Sequence, residues 1–81
     1  MILIEPKTKC EVDAIKECID LLHNGYFIMF SAGESGSMYY KFRHSRNGRI
    51  LSVKIYFDHY EIWEGSKALK CVEYPEELVS D

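Results

Sequence analysis

The sequence lacks the long apolar segments and paired cysteines that mark membrane and secreted proteins. No apolar run approaches the roughly 20 residues needed to cross a bilayer, and residues 1–6 have neither a basic lead nor a long enough apolar core for a signal peptide. The cysteines number three. Cys10 and Cys18 lie about 12 Å apart along a predicted helix, which is too far for a disulfide. We therefore expect reduced thiols and a cytoplasmic protein.

Catalytic and metal-binding patterns are missing as well. The histidines (His23, His44, His59) and the cysteines form no Cys-x2-Cys or His-x3-His pair, so we expect no metal site and no cofactor. The Gly/Ser-rich segment 31–37 lacks the Gly-Lys-Ser/Thr ending of a phosphate-binding loop and the strand–turn–helix setting of a serine nucleophile. It is typical of a flexible connector. We expect Cys18 to be a core residue, His44 to be structural, and the chain not to be an enzyme.

Acidic residues are absent between Met38 and Phe57. The whole chain carries a net charge of −3, yet this stretch holds half of its ten basic residues and none of its thirteen acids. The overall charge argues against a general DNA-coating protein, which would be basic throughout. The charge asymmetry is therefore a property of one region, which contains the basic residues Lys41, Arg43, Arg46, Arg49 and Lys54.

The same stretch predicts a β-hairpin. Asn47-Gly48 lies between two runs rich in Tyr, Phe, Val and Ile, and Asn-Gly is the typical sequence of a two-residue type I′ turn. That turn fixes the register and places the apolar residues on one face. The predicted pairs on this face are His44 with Leu51, Phe42 with Val53, Tyr40 with Ile55, and Met38 with Phe57.

The second face of the hairpin is basic and aromatic. The predicted register pairs Tyr39 with Tyr56, Lys41 with Lys54, and Arg43 with Ser52. Two lysines directly opposite each other are unfavourable, and a local rule broken without evident gain often marks a functional surface. If the next loop is the two residues Asp58-His59, the return strand from Tyr60 to Glu64 brings Trp63 opposite Lys54 for a cation–π contact, and Glu61 opposite Tyr56 for a hydrogen bond.

The rest of the chain predicts one helix and flanking strands. Thr8 and Glu11 form a capping box, the apolar periodicity follows from Val12 to Leu22, and Gly25 ends the helix. Residues 26–31 are apolar on both faces, which indicates a central strand. Residues 2–5 predict a short strand, residues 67–73 either an edge strand or a helical turn, and residues 75–78 a short helical start.

These elements predict a single α+β domain over residues 1–81. One amphipathic helix packs on an antiparallel sheet of four or five strands, in the order β-α-β-β-β-β. The basic and aromatic face of the sheet is the candidate binding site, with two arginines at the hairpin tip. Its residues are Tyr39, Lys41, Arg43, Arg46, Arg49, Lys54, Tyr56 and Trp63.

A surface of this kind favours a small non-enzymatic binding protein with an acidic protein partner. Aromatic platforms beside cations also suit single-stranded nucleic acid, and a small enzyme subunit, a structural accessory or an ordinary solvated surface remain alternatives. Compact acidic chains without motifs are common among phage proteins that inhibit a host machine, such as anti-CRISPR proteins, an analogy of size and style that no residue carries. We expect no membrane association, and a monomer or a dimer formed through a strand edge.

Overall fold

The computed structural model describes residues 8–75. Helix α1 (Lys9–His23) precedes five strands, which form one antiparallel sheet in the order β1-β2-β3-β4-β5, with α1 packed on one face. The predicted α+β fold is confirmed. The predicted strand at residues 2–5 and most of the predicted helical start at 75–78 lie outside the described residues. The strands are β1 (Tyr26–Glu34), β2 (Ser37–His44), β3 (Ile50–Tyr56), β4 (His59–Glu64) and β5 (Lys67–Glu73).

The ends of α1 lie where the sequence predicts, and the Thr8 half of the predicted capping box is formed. The Thr8 Oγ atom accepts a hydrogen bond from the Glu11 backbone N–H at 3.1 Å, which satisfies one of the free amides of the first turn. At the other end, Asn24 caps the helix through a bond from its N–H to the Leu21 carbonyl, and Gly25 adopts a φ of +93°. These local signals therefore determine the length of the helix.

Only part of the predicted apolar arc of α1 faces the sheet. Cys10, Ala14 and Cys18 are buried, which confirms Cys18 as a core residue. They pack on the inward side chains of the sheet, whose fully buried members are Phe42 and Val53. Four large apolar side chains of α1 stay between 42% and 45% exposed, and we call them the helix stripe: Val12, Ile15, Ile19 and Leu22.

The acidic flank of α1 determines which way the helix stripe faces. Asp13 accepts a hydrogen bond from the Tyr74 hydroxyl at 2.6 Å, and Glu17 accepts one from the Tyr60 hydroxyl at 2.6 Å and another from Lys70. These contacts hold one flank of the helix against β4, β5 and the residues after β5. At 100° per residue the helix stripe lies on the opposite flank, so it faces the β1 side of the sheet.

The β2–β3 hairpin has a different register from the predicted one. Phe42 pairs with Leu51, Tyr40 with Val53 and Met38 with Ile55, a shift of two residues. Because side chains alternate between faces, a shift of two keeps the paired strand residues on their predicted faces and changes only their partners. Phe57, predicted opposite Met38 on the apolar face, instead lies in the loop after β3 and is 67% exposed. The predicted two-residue type I′ turn is therefore wrong, whereas the composition of the two faces is right apart from Phe57.

Side-chain contacts in the loop explain the shift. The His44 N–H donates to the Arg49 carbonyl at 2.8 Å, which closes a four-residue loop instead of a two-residue one. The His44 Nδ1 atom accepts the backbone N–H groups of Arg46 and Asn47, and the Asn47 Oδ1 atom accepts that of Arg49. Gly48 has a φ of +74°, but Asn47 does not adopt a positive φ, so the I′ geometry is not formed.

The same shift occurs in the β3–β4 hairpin. Its two-residue loop is Phe57-Asp58, one residue earlier than predicted, and β4 begins at His59. Lys54 therefore lies opposite Glu61 on one side and Tyr39 on the other, while Lys41 lies opposite Ser52. The predicted opposition of Lys41 and Lys54 is wrong, and the like-charge conflict that it implied does not exist.

Among residues 8–75, strand β1 lies at the edge of the sheet and not, as the sequence predicted, between two strands. It continues to Glu34 and takes in most of the predicted connector; only Ser35 and Gly36 remain as the turn. Met29 is an extra residue that forms a β-bulge between Ile28 and Phe30. A strand that is apolar on both faces is typical of a buried central strand, which is why the sequence predicted one here. Within residues 8–75, however, no strand other than β2 pairs with β1.

Residues 67–73 form strand β5, which decides between the two alternatives that the sequence left open. The strand follows the Gly65-Ser66 turn and pairs with β4. Leu69 is the extra residue of a second bulge, between the pairs Ile62–Lys70 and Trp63–Ala68. Both edges of the sheet therefore carry one bulged apolar residue.

Candidate functional site: the open face of the sheet

The open face is the side of the sheet that points away from α1. Because side chains alternate along each strand, every strand contributes every second residue to it. Within residues 8–75 no helix or second layer packs on this face. Its large or charged members are Phe27, Phe30, Tyr39, Lys41, Arg43, Ile50, Lys54, Tyr56, His59, Glu61, Trp63 and Glu73.

Trp63 is the centre of the open face. The Lys54 Nζ atom lies 5.1 Å from the centroid of the indole ring, which confirms the predicted cation–π contact. The contact is diagonal, because the residue directly opposite Trp63 is Ser52. The indole Nε1–H donates to the Glu61 Oε1 atom at 2.9 Å, so the ring is fixed by a cation on its face and a carboxylate at its edge.

A shallow concavity of about 360 Å³ opens beside this ring. The hydroxyls of Tyr39 and Ser52 form a hydrogen bond of 3.4 Å across its floor. Lys41 and Lys54 both line the concavity, so it combines positive charge with aromatic and aliphatic surface. The complete lining is Tyr39, Lys41, Ile50, Ser52, Lys54, Trp63 and Gly65.

One end of the open face is formed by His59. Its ring stacks on Tyr56 with centroids 4.4 Å apart and 14° between the planes. The Nδ1 atom lies 2.8 Å from an Asp58 oxygen and the Nε2 atom 3.0 Å from a Glu61 oxygen. The hydrogen bond with Asp58 is the main reason that the pKa of His59 is raised, although partial burial opposes it. The new register separates Tyr56 from Glu61, so their predicted pairing is wrong.

Glu61 joins this end to the Trp63 cluster. The hydrogen bond from Trp63 outweighs partial burial and, with the contact to His59, holds the pKa of Glu61 below its usual value. The carboxylate is therefore ionised at neutral pH, directly across from Lys54. It places a negative charge between Lys54 and His59, and Glu73, directly across from His59, adds a second carboxylate at this end of the open face.

The predicted site residues fall into two groups. Six of them share the open face: Tyr39, Lys41, Arg43, Lys54, Tyr56 and Trp63. Arg46 lies in the exposed β2–β3 loop. Arg49 closes that loop and forms a two-pronged ion pair with Glu64, at 3.0 and 2.9 Å, whose hydrogen bonds raise the pKa of the guanidinium. The Arg49 side chain is therefore occupied by this ion pair, which links the β2–β3 hairpin to β4.

Sequence reasoning missed the aromatic residues of β1. Phe30 is 52% exposed, and its ring makes an edge contact with Tyr39 at 5.9 Å between centroids. Phe27, opposite Arg43, extends the open face in the same direction. The apolar run of residues 26–30 was visible, but a run that is apolar on both faces fits a buried strand and an unpartnered edge equally well.

His44 and the two cysteines of α1 have structural roles. The His44 Nδ1 atom accepts two backbone N–H groups, so Nε2 carries the proton and donates to the Asn24 carbonyl at 3.1 Å. Burial raises the pKa of Cys10 and of Cys18 to about 11, so both remain protonated thiols. Among residues 8–75 no group of three His, Cys, Asp or Glu side chains is arranged to hold a metal ion.

A second concavity, of about 200 Å³, lies at the start of α1. Glu11 and Glu34 both line it, beside Ser37 and Tyr56. Two carboxylates make it unsuitable for an anion, although it adjoins a helix N-terminus. None of its described lining residues is a histidine, cysteine or lysine that could act with Ser37 as a nucleophile pair.

The helix of the described region is too short and too polar to cross a membrane. Comparison of the chain with protein-family models, with curated proteins and with solved structures finds no match. What the chain does must therefore be inferred from the surfaces described above.

Proposed function

We propose that this chain is a small, non-enzymatic binding protein that docks its open face on an acidic surface of another protein. The observation that carries the proposal is the concavity lined by Tyr39, Lys41, Lys54 and Trp63. Tyrosine, tryptophan and arginine contribute most to protein interfaces, because they combine large contact areas with hydrogen bonding. A rigid sheet holds them at fixed spacing, so little entropy is lost on binding.

Charge favours a protein partner over single-stranded nucleic acid. A nucleic-acid surface needs cations that follow the phosphate backbone past the aromatic rings. Here the ionised Glu61 carboxylate sits at the edge of Trp63, where it repels phosphate. A protein partner can place acidic side chains near Lys41 and Arg43 and an uncharged contact at Trp63.

This mode of action also fits an inhibitor, because a small domain that covers an acidic surface blocks whatever else binds there. We place the protein in the cytoplasm, since Cys71 is exposed and unpaired and buried Cys10 and Cys18 are free thiols. The cytoplasmic location and the inhibitory role belong to the proposal.

The test compares charge reversal on the open face with charge reversal on α1. Lys41→Glu changes the open face, whereas Lys16→Glu makes the same change in net charge on an exposed position of the helix. A partner is captured from nuclease-treated lysate with the wild-type protein, identified, purified and titrated against both variants. We expect Lys41→Glu to weaken binding by at least about tenfold and Lys16→Glu to change it little. Equal binding by the wild type and Lys41→Glu would overturn the proposal.

The nucleic-acid alternative is tested with single-stranded oligonucleotides. Binding through Lys41, Arg43 and Lys54 would lower log K linearly with log salt, with a slope near the number of phosphates neutralised. We expect no binding at low salt. Salt-dependent binding that Lys41→Glu abolishes would instead support the alternative.

A further inference from the structure

In the part of the chain that the structure describes, strand β1 forms an unpaired edge of the sheet. Its first eight residues contain no charge, and four consecutive apolar side chains, from Phe27 to Phe30, are 44% to 52% exposed. Exposed edge strands invite pairing with another chain, and soluble proteins usually block them with lysine, proline or a covering element. Within residues 8–75 nothing covers this edge.

We propose that two copies of this chain associate through β1, paired antiparallel across a two-fold axis to form one ten-stranded sheet. This inference goes beyond the proposed function and does not depend on it. The partner is a second copy rather than an unrelated strand, because the sequence of β1 is complementary to itself in one register.

In that register the axis passes between Met29 and Phe30. Each large residue of the first half of β1 then lies opposite a small residue of the second half in the other copy. Met29 itself lies opposite Phe30. The other pairs are Tyr26 with Gly33, Phe27 with Ala32, and Ile28 with Ser31.

The bulge provides a second argument for a second copy. Because Met29 is an extra residue, Ile28 lies on the same face of the sheet as Ser31, and Phe27 on the same face as Ala32. A regular strand laid along β1 would match faces on one side of Met29 and mismatch them on the other. A second copy carries the same extra residue, so the faces match along the whole length.

Charge and the helix stripe agree with this arrangement. Glu34 of one copy would lie beyond the far end of the other strand, well away from its own counterpart. A two-fold axis that relates antiparallel strands is perpendicular to the sheet, so both helices lie on the same side. Each helix stripe is on the flank that faces β1, so the two stripes face each other across the axis.

The exposed apolar surface is sufficient for a dimer. Four side chains of β1 and four of the helix stripe are each about half exposed. Together they offer roughly 600 Å² per copy, compared with the roughly 800 Å² per partner of a standard stable interface, to which the paired backbones add more.

The experiment uses the two bulged edge residues as a matched pair. Met29 on β1 and Leu69 on β5 are 44% and 42% exposed, so Met29→Lys and Leu69→Lys make the same chemical change at equivalent positions of the two edges. The mass in solution is measured by sedimentation and light scattering over a range of concentrations. We expect the wild type and Leu69→Lys to be dimers and Met29→Lys to be a monomer.

Hydrogen exchange separates loss of pairing from loss of folding. In the dimer, the β1 amides that point away from β2 should be protected from exchange. Met29→Lys should expose these amides while the amides of β3 stay protected. A monomeric wild type, or a dimer that survives Met29→Lys and dissociates in Leu69→Lys, would overturn the proposal. So would protection of the β1 amides in a monomer, because another segment of the same chain would then cover this edge.

Discussion

The two edge strands of this sheet, β1 and β5, have the same architecture and opposite chemistry. Each has one bulge with a half-exposed apolar residue, Met29 in β1 and Leu69 in β5. Strand β5 carries charges at both ends and in the middle, Lys67, Lys70 and Glu73. Strand β1 is uncharged until its last residue, Glu34.

Helix α1 adds to the difference between β1 and β5. Lys70 of β5 and Tyr74, just after it, bind the carboxylates on one flank of α1, whereas the flank towards β1 carries the helix stripe. One edge is therefore closed by charge and by contacts within the chain. The other is left apolar, and it lacks the charges that usually keep an edge strand from pairing with another chain.

The largest expected effect concerns the entry to β1. Gly25 has a φ of +93°, which is strained for a residue with a β-carbon. In Gly25→Ala the new β-carbon would also lie within 2.9 Å of the His44 Nε2 atom. We expect a loss of roughly 2–4 kcal/mol in the free energy of unfolding, measured with urea. Gly65→Ala, before β5, has a φ of +64° but nothing within 4 Å of the new atom, and should cost only about 1 kcal/mol. Equal losses would show that the His44 contact is unimportant.

A smaller effect is expected where the helix holds β4 and β5. Glu17→Ala leaves the buried Tyr60 hydroxyl without its acceptor and releases Lys70, so we expect a loss of about 2 kcal/mol. Tyr60→Phe in the same background should restore part of it, since the unpaired hydroxyl is then gone. If the double variant is no more stable than Glu17→Ala, the hydrogen bond between Tyr60 and Glu17 contributes little.

Ile19→Ala, on the flank of α1 that faces β1, should lower the free energy of unfolding of the monomer by less than about 1 kcal/mol.

Acid should release β4 and β5 from the helix. Burial raises the pKa of Glu17, but the hydrogen bonds from Lys70 and Tyr60 outweigh it and hold the pKa below the ordinary value. A carboxylate with a lowered pKa contributes stability above its unfolded pKa and loses it as the pH falls through the folded pKa. The melting temperature should therefore fall on acidification below about pH 4.5, and less in Glu17→Gln. An identical fall in both proteins would assign it to other carboxylates.

The smallest effect is expected from His59, at the start of β4. Its pKa is raised by Asp58 and Glu61, so its stabilisation is complete below the unfolded pKa and is lost as the pH rises through the folded pKa. The wild type should lose a little melting temperature between about pH 6 and pH 8, near the ordinary titration range of histidine. His59→Gln should remove that slope. A slope that persists in the variant would assign it to another group.

The sequence predicted those features of the fold that depend on local signals. Thr8 and Gly25 fix the ends of the helix, and the alternation of residues 38–57 fixes the two faces of the central hairpin. The register was wrong because it depends on the His44 ring, whose bonds to Arg46 and Asn47 close a longer loop. The turn propensity of Asn-Gly gives no information about this contact, because His44 lies outside the Asn47-Gly48 turn.

Six of the eight candidate site residues share a face because the error in register was an even number. Arg49 was beyond prediction, since its partner Glu64 belongs to another strand and is brought near only by the complete meander. The position of β1 at the edge of the described sheet was missed for a different reason. An apolar strand gives no indication of whether its neighbour comes from the same chain or from another.

The order of elements has a consequence for how the chain is made. Every strand pairs with its neighbour in sequence, so the sheet can grow hairpin by hairpin with little loop-closure cost. The helix is synthesised first, but its contacts come late: Glu17 and Tyr60 are 43 residues apart, and Asp13 and Tyr74 are 61 apart. During translation the thiols of Cys10 and Cys18 are therefore exposed to water until the strands that bury them have left the ribosome. These two cysteines, buried in the folded protein, are most accessible to oxidants and thiol reagents in the nascent chain.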